Sequence, residues 1–233
     1  MSIDEIEQEL GVMQLSDSFF PIGIFTTSNG VEFLFNEKKI QGVVDLIELI
    51  RINIIHQIGP TDCVALANAM DWAKNNEFDK VIEADNLVFA TKTIKEIRDA
   101  SARSGVQLIK CVSEFIKDNN ILNQYKESMA QEKVHGIFPV AFGVCCNSLK
   151  ITKEKSMAMM LYGFSVGVIG AALRLGLIQH LESQKILHSL KPLISQTIKE
   201  HSNKSIFEMC QFAPQVDIIQ MSHEKMDSKM FIT

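Results

Sequence analysis

The stretch TKTIKEIRDASARSGVQLIKCVSEFIKD, residues 91–118, decides the fold class. Ile94, Ile97, Ser101, Ser104, Leu108, Cys111 and Phe115 recur at alternating steps of three and four. That spacing puts side chains on one face of an α-helix, whereas a strand needs steps of two. The seam is small in its middle, at Ser101, Ser104 and Gly105, so a neighbouring backbone can come close there. A second row of small residues, Gly163, Gly167 and Gly170, runs through the apolar stretch MAMMLYGFSVGVIGAAL, residues 157–173. The two rows predict that these helices cross inside the core.

Outward from this helix the pattern stays helical. Ser2 followed by Glu5 reads as a capping box, and Ile3, Ile6, Leu10 and Met13 continue at helical spacing. Pro21 and Gly23 interrupt that pattern, and Asn29 with Glu32 opens a second, short helix. Val43, Ile47, Ile50, Ile54 and Ile58 stripe a third helix over residues 41–57, with Gly59-Pro60 as its stop. Pro60, Thr61 and Asp62 then open a fourth, ending at Asn75-Asn76. Pro139 suits the first turn of a further helix and Thr152 suits the cap of the apolar one. A helix over residues 180–198 is expected to kink or break at Pro192. No useful run alternates as a strand would. The expected architecture is all-α: a single multi-helix domain over residues 1–233, with a mobile C-terminal tail, 214–233.

Composition narrows the function classes. The chain has 233 residues, 46% hydrophobic and 22% charged, with a net charge of −5. That is enough for one large core, and scattered Lys and Arg give no basic stripe for nucleic acid. The acidic start MSIDEIEQEL lacks the basic and apolar regions of a signal peptide. Cys63, Cys111, Cys145, Cys146 and Cys210 have no CxxC spacing and read as reduced thiols of a cytoplasmic protein. Residues 157–173 stand at the lower limit for spanning a bilayer, about 17 residues. Their Gly, Ser and Met content favours a helix buried in the core.

Chemistry is hard to find. Neither GxxxxGK[ST] nor GxGxxG occurs, so no loop offers clustered amides to phosphate. The histidines, His56, His135, His180, His188, His201 and His223, include no pair at i, i+4. Cys145-Cys146 sits in apolar FGVCCNSL, a poor setting for a nucleophile. No catalytic constellation assembles, and the chain is expected not to be an enzyme. Two other readings are weighed against this. One is a metal-dependent hydrolase drawing ligands from His135, His180, His223 and the cysteines. The other is a membrane-associated helical protein using residues 157–173.

The stretch SDSFFPIGIFTTSNGVE, residues 16–32, is apolar where a surface loop is usually polar. With the preceding Gln14-Leu15 it resembles the N-terminal signature of the UreF family of urease accessory proteins. Further matches follow in order. They are Glu96, Arg98, Ala100, Ser101 and Gly105; His135, Pro139, Val140, Ala141, Phe142 and Gly143; and Ala171, Ala172, Arg174, Leu175 and Gly176, with Gln184 downstream. Pro214, Asp217, Ile218, His223, Glu224 and Phe231 complete the set. Ile24, Thr27 and Gln179 depart from the family pattern.

The resemblance implies an all-α, dimeric, non-enzymatic chaperone. Such a protein bridges a UreD-like (UreH-like) accessory protein and the nickel-carrying GTPase UreG, and the assembly delivers nickel to apo-urease. It implies no tightly bound cofactor, nickel being handled by the complex, and no membrane or nucleic-acid partner. A scaffold without an active site acts through surfaces. The expected contact residues are Phe19, Phe20, Pro21, Ile22, Gly23, Phe25, Ser28, Gly30 and Glu32 at the N-terminus, Arg174, and Asp217, His223, Glu224 and Phe231 in the tail. Phe20 and Ile22 are expected to face outward while other aromatics of the loop anchor inward. Arg174 is expected to dock the GTPase. The tail is expected to be loosely held until the UreD-like partner orders it, with His223 and Glu224 setting register and Phe231 as the apolar anchor.

Overall fold

The computed structural model describes residues 3–23 and 26–232. Ser2, Ile24 and Phe25, which carry expectations above, lie outside the described residues. The helices are α1 (Ile3–Ser16), α2 (Val31–Asn36), α3 (Val43–Asn53), α4 (Val64–Lys74), α5 (Phe78–Thr91), α6 (Lys95–Phe115), α7 (Asn120–Ala130), α8 (Phe138–Ser148), α9 (Lys153–Arg174), α10 (His180–His201) and α11 (Pro214–Glu224). A π-helical segment, Ile54–Cys63, joins α3 to α4, and a short 3-10 turn, Ile206–Glu208, precedes α11. The described residues contain no strand, so the fold is all-α.

Apolar content explains the layering. Helix α8 is buried from Pro139 to Cys146 and lies against α4 and α6. At Gly143 a Cβ would stand 3.0 Å from the Leu66 carbonyl, so the glycine sets how closely α4 and α8 approach. Helix α9 is long and apolar enough to cross a membrane, yet 61% of its most apolar window is buried within the chain, packed on α10. It is a core helix of this bundle. Thr152 caps it through its hydroxyl, which accepts from the Lys155 N–H at 3.4 Å.

Two expectations fail for identifiable reasons. Gly59-Pro60 does not stop the third helix. Proline removes the N–H that the residue-56 carbonyl would receive, and the chain meets this with the widened π turn. The His56 carbonyl instead accepts the Phe212 N–H at 3.1 Å, and the Pro60 carbonyl accepts the Cys210 N–H at 3.3 Å. Thr61 donates its hydroxyl to the Cys210 carbonyl at 2.9 Å. Gly59 serves α10: a Cβ there would stand 2.7 Å from Thr197 Cγ2. The dipeptide therefore marks a docking point for the segment before α11. Likewise, α10 runs without interruption past Pro192, which lies on its exposed face.

The small rows of α6 and α9 do not form the expected close crossing. A Cβ on Gly105 would stand 2.0 Å from the Gly136 carbonyl and 3.1 Å from Ala141 Cβ, so the small middle of α6 receives α8 and the turn before it. Gly163 and Gly170 have nothing within 4 Å of the corresponding position. Ser101 and Ser104 instead share with Gly163 and Gly167 a cavity of about 180 Å³, whose apolar wall includes Phe138 and Met160.

Candidate functional site

The matched motifs of the N-terminus, α6 and the tail converge on one place. Glu32, in the first turn of α2, is buried. Its Oε2 lies 3.0 Å from His223 Nε2, and the other ring nitrogen, Nδ1, lies 2.9 Å from Glu96 Oε2 on α6. His223 is 0% exposed. Lys229 donates to the second oxygen of Glu96 at 3.0 Å and to the Glu224 carbonyl at 3.0 Å. Glu32 also accepts the backbone N–H groups of Met230 and Phe231, at 2.6 and 3.1 Å. Burial alone would raise the Glu32 pKa, but the hydrogen bonds from His223, Met230 and Phe231, with the imidazole charge, hold it below the ordinary value.

Neighbouring residues make room for this arrangement. Gly30 has φ 89°, and a Cβ there would stand 2.5 Å from Ile219 Cγ2 on α11. Glycine is thus required twice, by the left-handed backbone and by the approaching helix. The Ser28 hydroxyl is buried, with no hydrogen-bond partner among the described residues. Asp217 accepts from Gln57 of the π segment at 3.0 Å and from Gln211 at 3.4 Å. Phe231 is buried under the Arg174 guanidinium, 4.4 Å above the ring, and Arg174 Nε also donates to the Gly170 carbonyl at 3.1 Å. The Ile232 N–H reaches the Thr26 carbonyl at 2.9 Å, joining the end of the tail to the N-terminal loop.

These contacts correct the expected tail. Residues 214–232 are folded back on the domain, held by a charged cluster that substitutes for a long apolar stripe. Glu32, His223 and Phe231, expected at a partner surface, lie inside, as do Ser28 and Gly30. Glu224 is exposed, and its carbonyl, rather than its carboxylate, fixes Lys229. The loop is corrected too. Phe20 and Ile22 point inward, while Phe19 is 92% exposed, because its own N–H is turned onto the Asp17 carboxylate at 2.7 Å. Pro21 and Gly23 are exposed, and Gly23 takes φ 79° in the turn. Phe25 lies outside the described residues.

Glu96, Lys229 and Gln57 were not singled out as contact residues by sequence reasoning. The signal for Glu96 was present, since it begins a matched motif. Lys229 and Gln57 gave none, because their partners are far away in sequence.

Other candidates for chemistry dissolve into structure. Asp85 accepts from Tyr125 Oη at 2.5 Å and from the N–H groups of His135 and Ile137 at 2.5 and 2.8 Å, so it fastens the turn before α8. The His135 ring stacks on Phe89. Burial pushes the thiols of Cys63 and Cys145 well above their ordinary range and that of Cys146 up to about 12. Such thiols are protonated hydrophobes and not nucleophiles. Among the described residues, no three His, Cys, Asp or Glu side chains are placed to hold a metal ion together.

Comparison with known proteins gives the family. The family model for UreF matches residues 40–191. The chain belongs to the UreF family. It is 31% identical over 227 residues to a urease accessory protein UreF of Trichodesmium erythraeum, covering 97% of each chain. It is 28% identical to a protein of that name from Bacillus sp., over 96% of this chain and 98% of the relative. A UreF 1 of Brucella melitensis is 28% identical over 96% and 92% of the two chains. UreF is a family of accessory proteins and not of enzymes.

Proposed function

We propose that this UreF-family chain is a cytoplasmic, non-enzymatic adaptor of urease maturation. It acts as a symmetric homodimer that bridges a UreD/UreH-like protein and a nickel-carrying UreG-like GTPase, so that nickel reaches apo-urease. Nickel is cargo of the complex, and no cofactor resides in the chain.

The observation that carries this reading, beside the family, is the inverted polarity of the tail. Helix α11 turns Gln220 and His223 inward, while Ile218 and Met221 face solvent. Met230 and Ile232 are exposed beyond it. A segment that spends polar groups on its own domain and leaves apolar ones outside offers a preformed surface to another protein. The UreD-like partner is therefore assigned to the outside of the docked tail, in place of the Phe231 anchor expected from sequence. The exposed Arg174 borders this region and remains the residue assigned to GTPase contact.

The test is a pull-down of UreD-like and UreG-like proteins from the same source, with and without GTP, using wild type and the double variant Ile218→Glu/Met221→Glu. The expected result is loss of the UreD-like protein with an unchanged helical melt. Full binding by the double variant overturns the assignment. Light scattering of the isolated chain at high micromolar concentration checks the dimer.

A further inference from the structure

The cluster beneath the tail has a proton requirement written into its geometry. A neutral imidazole carries one N–H and one bare nitrogen. His223 faces a carboxylate oxygen from each ring nitrogen, 3.0 Å to Glu32 on α2 and 2.9 Å to Glu96 on α6. Only the doubly protonated ring donates to both. The neutral ring sets a lone pair against a buried carboxylate, and a buried acceptor without a donor is costly. Of the other charged groups near the catch, Lys229 donates to Glu96 and Asp217 is held by Gln57. On α6, Lys95 and Arg98 lie beside Asp99, with Arg98 over the Phe89 ring, and Glu224 and Lys225 at the end of α11 are exposed. Arg174 sits over Phe231.

We infer that Glu32, His223 and Glu96 form a proton-operated catch that holds the C-terminal tail closed when the imidazole is charged and both carboxylates are ionised. Few apolar side chains back the catch, with Val216 and Phe231 the buried ones of the tail. Losing one member therefore shifts the tail and not the whole domain. Opening also withdraws Gln220 from the wall of the cavity between α6 and α9. This inference concerns the free chain and does not depend on the adaptor reading.

The experiment is hydrogen exchange on the full chain without partners, read as protection factors for residues 216–231 from about pH 2 to about pH 9, a range that extends below ordinary carboxylate titration and above that of imidazole. Wild type is expected to show a plateau with at least about a tenfold loss of protection on each side, while α8 stays protected throughout. Glu96→Gln is the discriminating variant. Its amide can donate to a neutral imidazole, so the alkaline loss disappears and the tail stays docked. A merely structural carboxylate predicts instead a tail loosened at every pH. His223→Gln, which cannot donate from two opposed nitrogens, is expected to loosen the tail across the range and to remove its alkaline step. Flat wild-type protection, or an alkaline step in Glu96→Gln equal to that of wild type, overturns the catch.

Discussion

Asp85 and Glu32 are both carboxylates taken out of water, and each gathers the polar ends of a neighbouring segment. Their donors differ. Asp85 is met by the Tyr125 phenol on α7 and by two backbone N–H groups of the turn before α8. Burial raises its pKa, only partly offset by hydrogen bonds from Tyr125, His135 and Ile137 and by the charge of His135. Glu32 is met by an imidazole and by the backbone of the last residues of the chain, and its pKa is lowered. Neutral donors inside a core make a fastening that charge does not control. An imidazole and two backbone N–H groups of a terminal segment make the fastening that the proposed catch would release.

The largest expected effect lies on the Asp85 side. Asp85→Ala leaves the buried Tyr125 hydroxyl, the buried Ile137 N–H and the half-buried His135 N–H without their acceptor. Each such group costs about 1–3 kcal/mol. Chemical denaturation is expected to show a loss of roughly 3 kcal/mol or more for the whole domain, in one cooperative transition. A loss below about 1 kcal/mol would show that the corner can be rearranged and would break the contrast with Glu32.

Gly30→Ala comes next. The left-handed φ of 89° disfavours alanine, and the added methyl would stand 2.5 Å from Ile219 Cγ2. The strain is about 1–2 kcal/mol, and it acts where α11 lands. Hydrogen exchange is expected to show the tail opening first, with α8 unaffected. Uniform loss of protection across the chain would make tail and core one unit.

Acid sharpens the comparison further. The Glu32 pKa is depressed in the folded state, so its contribution is complete above the unfolded value of about 4.5 and is lost as pH falls through the lower folded value. The Asp85 pKa is raised, so linkage there has the opposite sign and falling pH does not withdraw support. Circular dichroism with hydrogen exchange is expected to show the tail released in acid while helix content stays near its neutral value. Simultaneous loss of both would contradict the two signs.

How much of this was legible follows from the kind of constraint. The seam Ile94 to Phe115 and the apolar run of α9 are periodic within one element, so the all-α class could be read from them. The motif matches named residues that the fold brings together, Glu32, His223 and Phe231, but not the direction in which they face. Glu32 and His223 are buried because a glycine, a distant glutamate and two backbone amides supply what an isolated acidic residue and histidine lack. Those partners are far apart in sequence, and local spacing carries no trace of them. Gly59-Pro60 misled for the same reason. The pair reads as a stop unless the N–H groups of Cys210 and Phe212 are there to donate to the freed carbonyls. The two small rows were visible, but a cavity and a close crossing have the same local signature.

The smallest expected effect concerns Arg174, where the tail meets α9. Its guanidinium lies 4.4 Å above the Phe231 ring while its Nε caps the Gly170 carbonyl, and the side chain remains exposed. An exposed cation–π contact contributes about 0.5–1 kcal/mol. Arg174→Ala is therefore expected to lower tail protection by roughly two- to fivefold, since 1.4 kcal/mol is a factor of ten, and to leave the global melt unchanged. Arg174→Lys keeps the charge but not the planar stacking, and is expected to fall between alanine and wild type. Measuring GTPase capture on the same variants separates two roles. If capture falls in step with tail protection, Arg174 acts by holding Phe231 and thus the tail. If capture is lost while protection is unchanged, the guanidinium meets the GTPase directly, and its stacking on Phe231 only sets the orientation in which it is presented.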